Sequence, residues 1–157
     1  MTGFTIRKHI AASPETVFRL ATDFEHAAER MRGITKAEVL TEGPVGQGTR
    51  IRETRVMFGR EATEEMELTS FEPPRSYVMT SENHGCRYTT LFEFLPRDEG
   101  TEVALTFEAE PRTVTARLMG LLARFMMSGC RQEVEKDLED LMDAAEGRAR
   151  QNESAVS

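Results

Sequence analysis

Glu64, Tyr88 and His84 are the residues of this chain whose types and surroundings suit proton transfer. Glu64 lies in "EATEEMEL", in step with Ala62, Met66 and Leu68, so a strand there turns its carboxylate the same way as apolar neighbours. A carboxyl stripped of water gains pKa and can serve as a general base or bond a hydroxyl. A register displaced by one residue instead leaves Glu64 in water with Glu65 and Glu67. Tyr88 alternates with Cys86, Thr90, Phe92 and Phe94, and its phenol can donate to a carbonyl or to backbone. His84, in the loop "ENHG", is of the residue type best suited to general-base work at neutral pH, although no partner that would orient it is evident. His9 lies on the side of its strand opposite Phe4, Ile6 and Ile10, and His26 sits in a polar helix. The three histidines lack metal-ligand spacing, so no metal site is expected. Arg50, Arg52 and Arg55 fall in a strand polar on both faces, where pairing with the Glu-rich neighbour is the expected role.

A different chemistry is written into "RLMGLLARFMMSGCRQEVEKDL", which starts at Arg117 and holds three methionines, a cysteine, a phenylalanine and four leucines. Methionine fills irregular volumes and accommodates varied ligands. Residues four apart (Leu118, Leu122, Met126, Cys130, Val134, Leu138 and Met142) form a ridge that drifts around the helix, so a helix here bends or crosses a curved sheet diagonally. Ser128-Gly129 is the expected kink. Leu118, Leu122 and Met126 are expected to wall a pocket, opposite Glu64, Met66, Met79, Tyr88, Thr90, Phe92 and Phe107 on strands. Met57 and Phe58 are apolar at a hairpin tip where a plain turn would be polar.

Composition removes other classes. A net charge of −7 argues against nucleic acid as a main partner and against adhesion to anionic lipid. No run approaches the roughly 18 apolar residues of a membrane span, and Arg124 interrupts the greasiest one. "MTGFTIRKHI" lacks the apolar core of a signal peptide, and the two cysteines read as reduced thiols, so a cytoplasmic location is expected. No G-x-S-x-G, P-loop or dinucleotide fingerprint occurs, so no cofactor is expected.

The elements that must position these side chains follow from periodicity. "FTIRKHIAA" alternates as a strand, and "SPETVFRLATD" brings Ser13 as a cap and Pro14 at the first helical position. "DFEHAAERMRG" reads as a second short helix. Six strand-like runs follow, separated by short turn-rich links that favour antiparallel hairpins. After Pro111 the pattern is helical to about Gly147. The fold class is therefore α+β, with seven antiparallel strands wrapped on one long helix. Residues 1–147 form one domain, and 148–157 are expected to be a disordered polar tail.

This order of elements resembles the START-like (SRPBCC) superfamily with its helix-grip fold. "IAASPETVFRLATD", "GPVGQGTRIRETR", "TSFEPPRSYVM" and "FEFLPRDEGTEVALTFEAEP" are similar to its polyketide cyclase/dehydrase-type branch. Many relatives carry tryptophan near the end of the second short helix, where this chain has Met31 and no Trp anywhere. The resemblance implies a cavity between sheet and long helix, bordered by the Met57–Arg60 and Glu82–Gly85 loops, with Met57, Phe58 and His84 as its gate residues. In the START-like cyclases that this chain resembles, a luminal arginine steers the substrate, which implies Arg52 as the alternative inward candidate. Three functions are then open. The leading one is binding of a small hydrophobic molecule such as a lipid, polyketide or isoprenoid. The alternatives are an aromatase/cyclase or dehydratase using Glu64, Tyr88 or an arginine, and an adaptor whose Met-rich helix docks a partner without a ligand. A homodimer is compatible with each.

Overall fold

The structure, a computed structural model, describes residues 2–57 and 59–156, with side-chain placement given for all of these except residues 2, 121–126 and 148–156. Strand β1 (Thr2–Ile10) leads into α1 (Pro14–Ala21), a single 3-10 turn (Phe24–His26) and α2 (Ala27–Arg30). Strands β2 (Ile34–Val39), β3 (Arg50–Met57), β4 (Arg60–Glu72), β5 (Ser76–Asn83), β6 (Cys86–Arg97) and β7 (Gly100–Pro111) follow, then α3 (Val114–Leu118) and α4 (Gly120–Val156). All seven strands pair antiparallel in the order β1-β7-β6-β5-β4-β3-β2, so each hairpin neighbour in sequence is a neighbour in space and β1 closes the far edge on β7.

Local chemistry explains the elements. The Ser13 hydroxyl accepts from the Thr16 N–H at 3.2 Å, capping α1, and Pro14 takes the position where its missing donor costs nothing. Val17, Phe18 and Leu20 then face the sheet and are buried. The β5–β6 and β6–β7 turns place both central residues at positive φ: His84 at 51° with Gly85 at 73°, and Asp98 at 49° with Glu99 at 61°. That is the turn geometry whose twist matches paired strands.

The core lies between the concave sheet and the second half of α4. Ile10, Ile51, Leu68, Phe94 and Val103 from the strands, with Leu138, Leu141 and Ala145 from α4, are at most 2% exposed. Phe18 of α1 adds ring contacts to Phe71, Tyr77 and Phe94 at 5.2–5.9 Å. Two bulges shift the inward parity. One separates Leu68 from Ser70 in β4, which lets Phe71 reach the core on the opposite parity, and one separates Ile34 from Lys36 in β2.

The long helix differs from expectation in three ways. The interruption falls at Met119, between α3 and α4, and no break divides α4 at Ser128–Gly129. Gly120 supplies the reason, because it carries the weakest helix propensity short of proline. Second, the expected wall residue Leu118 is 80% exposed, since the break turns α3 outward; this expectation is corrected. Third, the helical backbone runs on through the segment expected to be a disordered tail, ending at Val156.

Leu138→Ala should lower unfolding free energy by about 2–5 kcal/mol, because its cavity cannot collapse in a packed core. Leu118→Ala should change it by less than about 0.5 kcal/mol. Urea denaturation of both variants tests the assignment, and equal losses would put Leu118 in the core.

Candidate functional site

Strand register lays out one inward face in rows. At the packed end stand Phe94 opposite Val103, then Phe92 opposite Leu105, Thr90 opposite Phe107 and Tyr88 opposite Ala109, ending with Cys86 opposite Pro111. Phe4 extends the Phe107 row across β1. On the other flank Met79 pairs with Thr90, Ser81 with Tyr88, Ile51 with Met66, and Glu53 with Glu64. Burial falls along β6 in these rows, while Leu105 and Ala109 beside them on β7 stay buried at 2% and 7%. Phe94, Val103 and Ile51 are fully enclosed, whereas Phe4, Met66, Cys86, Tyr88, Thr90, Phe92 and Phe107 keep part of their surface in solvent although they face inward. Aromatic rings line this half-open end: Phe107 stacks on Phe4 at 5.3 Å and on Tyr88 at 5.9 Å, and Phe92 stacks on Tyr77 at 4.5 Å.

Charge enters the same face from β3, β4 and α4. The Arg55 Nε and Nη2 donate to Glu53 Oε1 at 3.0 and 2.9 Å, and Nη1 reaches Asp137 of α4 at 2.9 Å. All three side chains are about one-fifth exposed or less, at 18%, 15% and 21%. Burial works against the guanidinium's charge, but Asp137 and Glu53 outweigh it and hold Arg55 above its ordinary value. Burial pushes Asp137 up to about 6 against the opposing pull of Arg55, with Glu53 and Asp140 adding to the rise.

Glu64 faces Glu53 across the β3–β4 ladder. Burial raises its pKa and Glu53 adds to that, while Arg55, His84 and the Ser81 hydroxyl favour its charged form. Tyr88 is pushed up to about 12, first by burial and then by its contact with the Cys86 thiol, so its phenol keeps its proton. Cys130 of α4 is raised by burial and then by Glu64, which makes it a poor nucleophile. The arrangement can hold a neutral phenol, a proton-sharing carboxylate and a fixed cation against one guest. Among the described residues no set of three His, Cys, Asp or Glu is placed to hold a metal ion.

Glu64, Met66, Tyr88, Thr90, Phe92 and Phe107 share the half-open inner face, and Met79 joins them in a more enclosed position, 9% exposed. His84 is exposed on the β5–β6 turn, and half-buried Met57 ends β3 at the same end of the sheet. Phe58 and the side chains of Leu122 and Met126 lie outside the described residues. Arg52 pairs with Glu65 at 2.8 Å and with Glu38 at 3.6 Å on the outer face. The arginine that faces inward is Arg55, and with Glu53 and Asp137 it forms the group that sequence reasoning missed. Ile51 was the available signal: it is apolar, and Glu53 and Arg55 share its parity.

A curved seven-stranded antiparallel sheet gripping one long C-terminal helix, with two short helices after the first strand, defines the helix-grip class. The chain belongs to the family described as polyketide cyclase / dehydrase and lipid transport, which it matches over residues 1–146. Among solved structures it is similar to TTHA0849 from Thermus thermophilus, at 26% identity and TM-score 0.78, covering 94% of this chain and 99% of that one. It also shares its fold with the Zhui aromatase/cyclase from a Streptomyces species, at 18% identity and TM-score 0.73 over 94% of this chain and 95% of that one. A START superfamily protein from Mycobacterium smegmatis gives 14% identity and TM-score 0.75 over 92% and 97%. Among curated proteins the sequence finds no match.

The raised Asp137 pKa carries a signed consequence. Between the ordinary carboxylate value and about 6 the native state holds a proton that the unfolded chain has released. Its contribution to stability is therefore full at low pH and is lost as pH rises through that window. Asp137→Asn removes the titration. Relative to wild type, the variant should gain on the order of 2–3 kcal/mol between pH 4 and pH 7, read from urea midpoints. A difference that stays constant, or moves the other way, would contradict the assignment.

Proposed function

We propose that this protein binds a small, largely apolar molecule between the sheet and α4. The guest's apolar body lies against Phe4, Phe92, Tyr88 and Phe107, and its polar end meets Glu64 and Arg55. One observation carries the reading: along the inner face of β6, burial is complete at Phe94 and incomplete from Phe92 to Cys86, with Phe4 and Phe107 beside it also partly open while Leu105 and Ala109 are covered. Aromatic side chains facing inward yet partly exposed form the kind of surface that a ligand covers, with few polar groups to fix orientation. Family membership supports the same class of guest. The neutral phenol of Tyr88 and the carboxyl of Glu64 supply the polar contacts.

Thr90 sits between Met79 and Phe107 on that face and is half-buried. Thr90→Trp should fill the space and weaken uptake of a neutral naphthylamine fluorophore by about tenfold or more, a change equivalent to about 1.4 kcal/mol. Circular dichroism should stay that of wild type. A folded variant with undiminished uptake would remove this reading.

Convergence of Glu64, Tyr88 and Arg55 on one face favours a second reading, dehydratase-type chemistry. Ionised Glu64 takes the proton next to a carbonyl while Tyr88 protonates the departing hydroxyl, which leaves as water, and the proton on Glu64 then passes back to the Tyr88 phenolate, restoring both groups. Turnover of a β-hydroxy thioester should then rise with pH through the elevated Glu64 pKa. Glu64→Gln should abolish it while fluorophore uptake stays within about threefold. Turnover that survives Glu64→Gln excludes this reading and leaves the binding one standing.

A further inference from the structure

Charge along this chain is distributed unevenly. From Pro111 to Gln132 the sequence holds four arginines (Arg112, Arg117, Arg124 and Arg131) and no Asp or Glu. This is its longest stretch without a carboxylate, and elsewhere 16 Lys and Arg face 27 Asp and Glu. The structure turns the beginning of the stretch outward. Val114 is 73% exposed, Leu118 80% and Met119 51%, and Arg112 and Arg117 are exposed beside them, Arg112 in a loose, solvent-exposed pairing with Glu110 at 4.0 Å, while Arg131 further on pairs with Glu135 at 3.5 Å. Clustered apolar side chains this open mark a contact surface, and core filling does not account for them.

Their position is fixed by the sheet. The Arg112 N–H donates to Gly85 O at 2.7 Å, and Pro111 pairs with Cys86. Thr113 lies against Gly85 so closely that a Cβ there would come within 2.6 Å of its hydroxyl oxygen. The apolar, basic segment is thus pinned to the β5–β6 turn, on the rim of the half-buried end of the inner face.

We propose that residues Arg112–Met119 form a docking surface for an anionic lipid bilayer, on which the protein lies without spanning it. Charge complementarity selects this occupant. Arginine guanidinium groups fork onto phosphate oxygens, while Val114, Leu118 and Met119 reach the boundary between headgroups and acyl chains. A second copy in two-fold contact would bring one basic patch against another. The net charge of −7 does not forbid docking, because beyond about 8 Å at physiological salt the acidic remainder is screened. That remainder instead orients the molecule, keeping its other faces off the membrane. If the cleft binds an apolar guest as proposed above, its rim meets the bilayer and the guest need not cross open water; docking itself does not depend on that reading.

The test is co-sedimentation of the full chain with phosphatidylcholine vesicles and with equal mixtures of phosphatidylcholine and phosphatidylglycerol, at low and physiological salt. Binding should favour the anionic vesicles by about tenfold or more and weaken with salt. Arg117→Glu should lower that affinity by about tenfold and leave fluorophore uptake unchanged. Leu118→Asp should abolish sedimentation, with circular dichroism confirming the fold. Thr90→Trp should still bind vesicles, which separates failure of the cleft from failure of the surface. Absence of vesicle binding, equal binding to both compositions, or wild-type behaviour of Arg117→Glu would overturn the proposal. So would a lipid-free dimer that Leu118→Asp dissociates, which would assign the patch to a second copy.

Discussion

A guanidinium set between a sheet and a helix has to be met by carboxylates from both, and Arg55 is met by Glu53 on its own strand and Asp137 on α4. Hydrophobic contact is non-directional and leaves the helix free to slide. A buried ion pair does not, since leaving one partner unpaired costs about 3–5 kcal/mol. Shifting α4 by one turn, about 5.4 Å, would strand all three charges. A neighbouring clasp acts in the same sense, for the Arg32 N–H and Nε both donate to Asp140, at 2.8 and 2.9 Å. Gly33 stands between the two clasps, where a Cβ would lie 3.2 Å from the Arg55 guanidinium and 3.3 Å from Glu133. The segment after α2 and the middle of α4 are thereby locked together.

The same group sets the electrostatics of the inner face. Three carboxylates (Glu53, Glu64 and Asp137) share one guanidinium, so full ionisation would leave excess negative charge where little water can offset it. Burial first, and then the neighbouring carboxylates, raise both Asp137 and Glu64 despite their nearness to Arg55. Glu53 holds the guanidinium through two hydrogen bonds, and Asp137 is the partner that takes up a proton. For the guest proposed above, this end of the face is rich in hydrogen-bond acceptors. A carboxylate on the guest would meet repulsion there, whereas a hydroxyl would find a partner.

Much of this was legible in the sequence, because period-two alternation and turn chemistry are local. "CRYTTLFEF" and "EVALTFEA" announced their inward residues, and Ser13-Pro14 announced the start of α1. The segment "RIRETRVM" hid its meaning because polar residues occupy both parities, and the cue that Ile51 gives for inward Arg55 is offset by Val56 on the parity of Arg52. Asp137 was hidden differently. In "EVEKDLEDL" it looks like one charge of a solvated helix face, and only the crossing of α4 over β3 turns it inward. The break at Met119 was obscured by the continuous apolar spacing across it, which Gly120 overrides. Net charge is a coarse guide for a related reason: an average of −7 conceals a segment with no carboxylate at all.

The fold and the proposed binding reading use different lengths of one helix. Leu138, Leu141 and Ala145 are sealed into the core, and the clasps at Asp137 and Asp140 fix that half against β3 and the segment after α2. Met127 and Cys130, one to three turns earlier, are only half-buried, and Arg131 reaches back over the Phe4 ring at 5.9 Å. Stability therefore does not require the earlier half to be packed tightly, since the anchored half already fixes the helix in place. Methionine and cysteine suit such a loosely packed position, because soft, adaptable side chains fill irregular volume. The packed end of the grip supplies the rigidity that lets the other end stay incompletely filled.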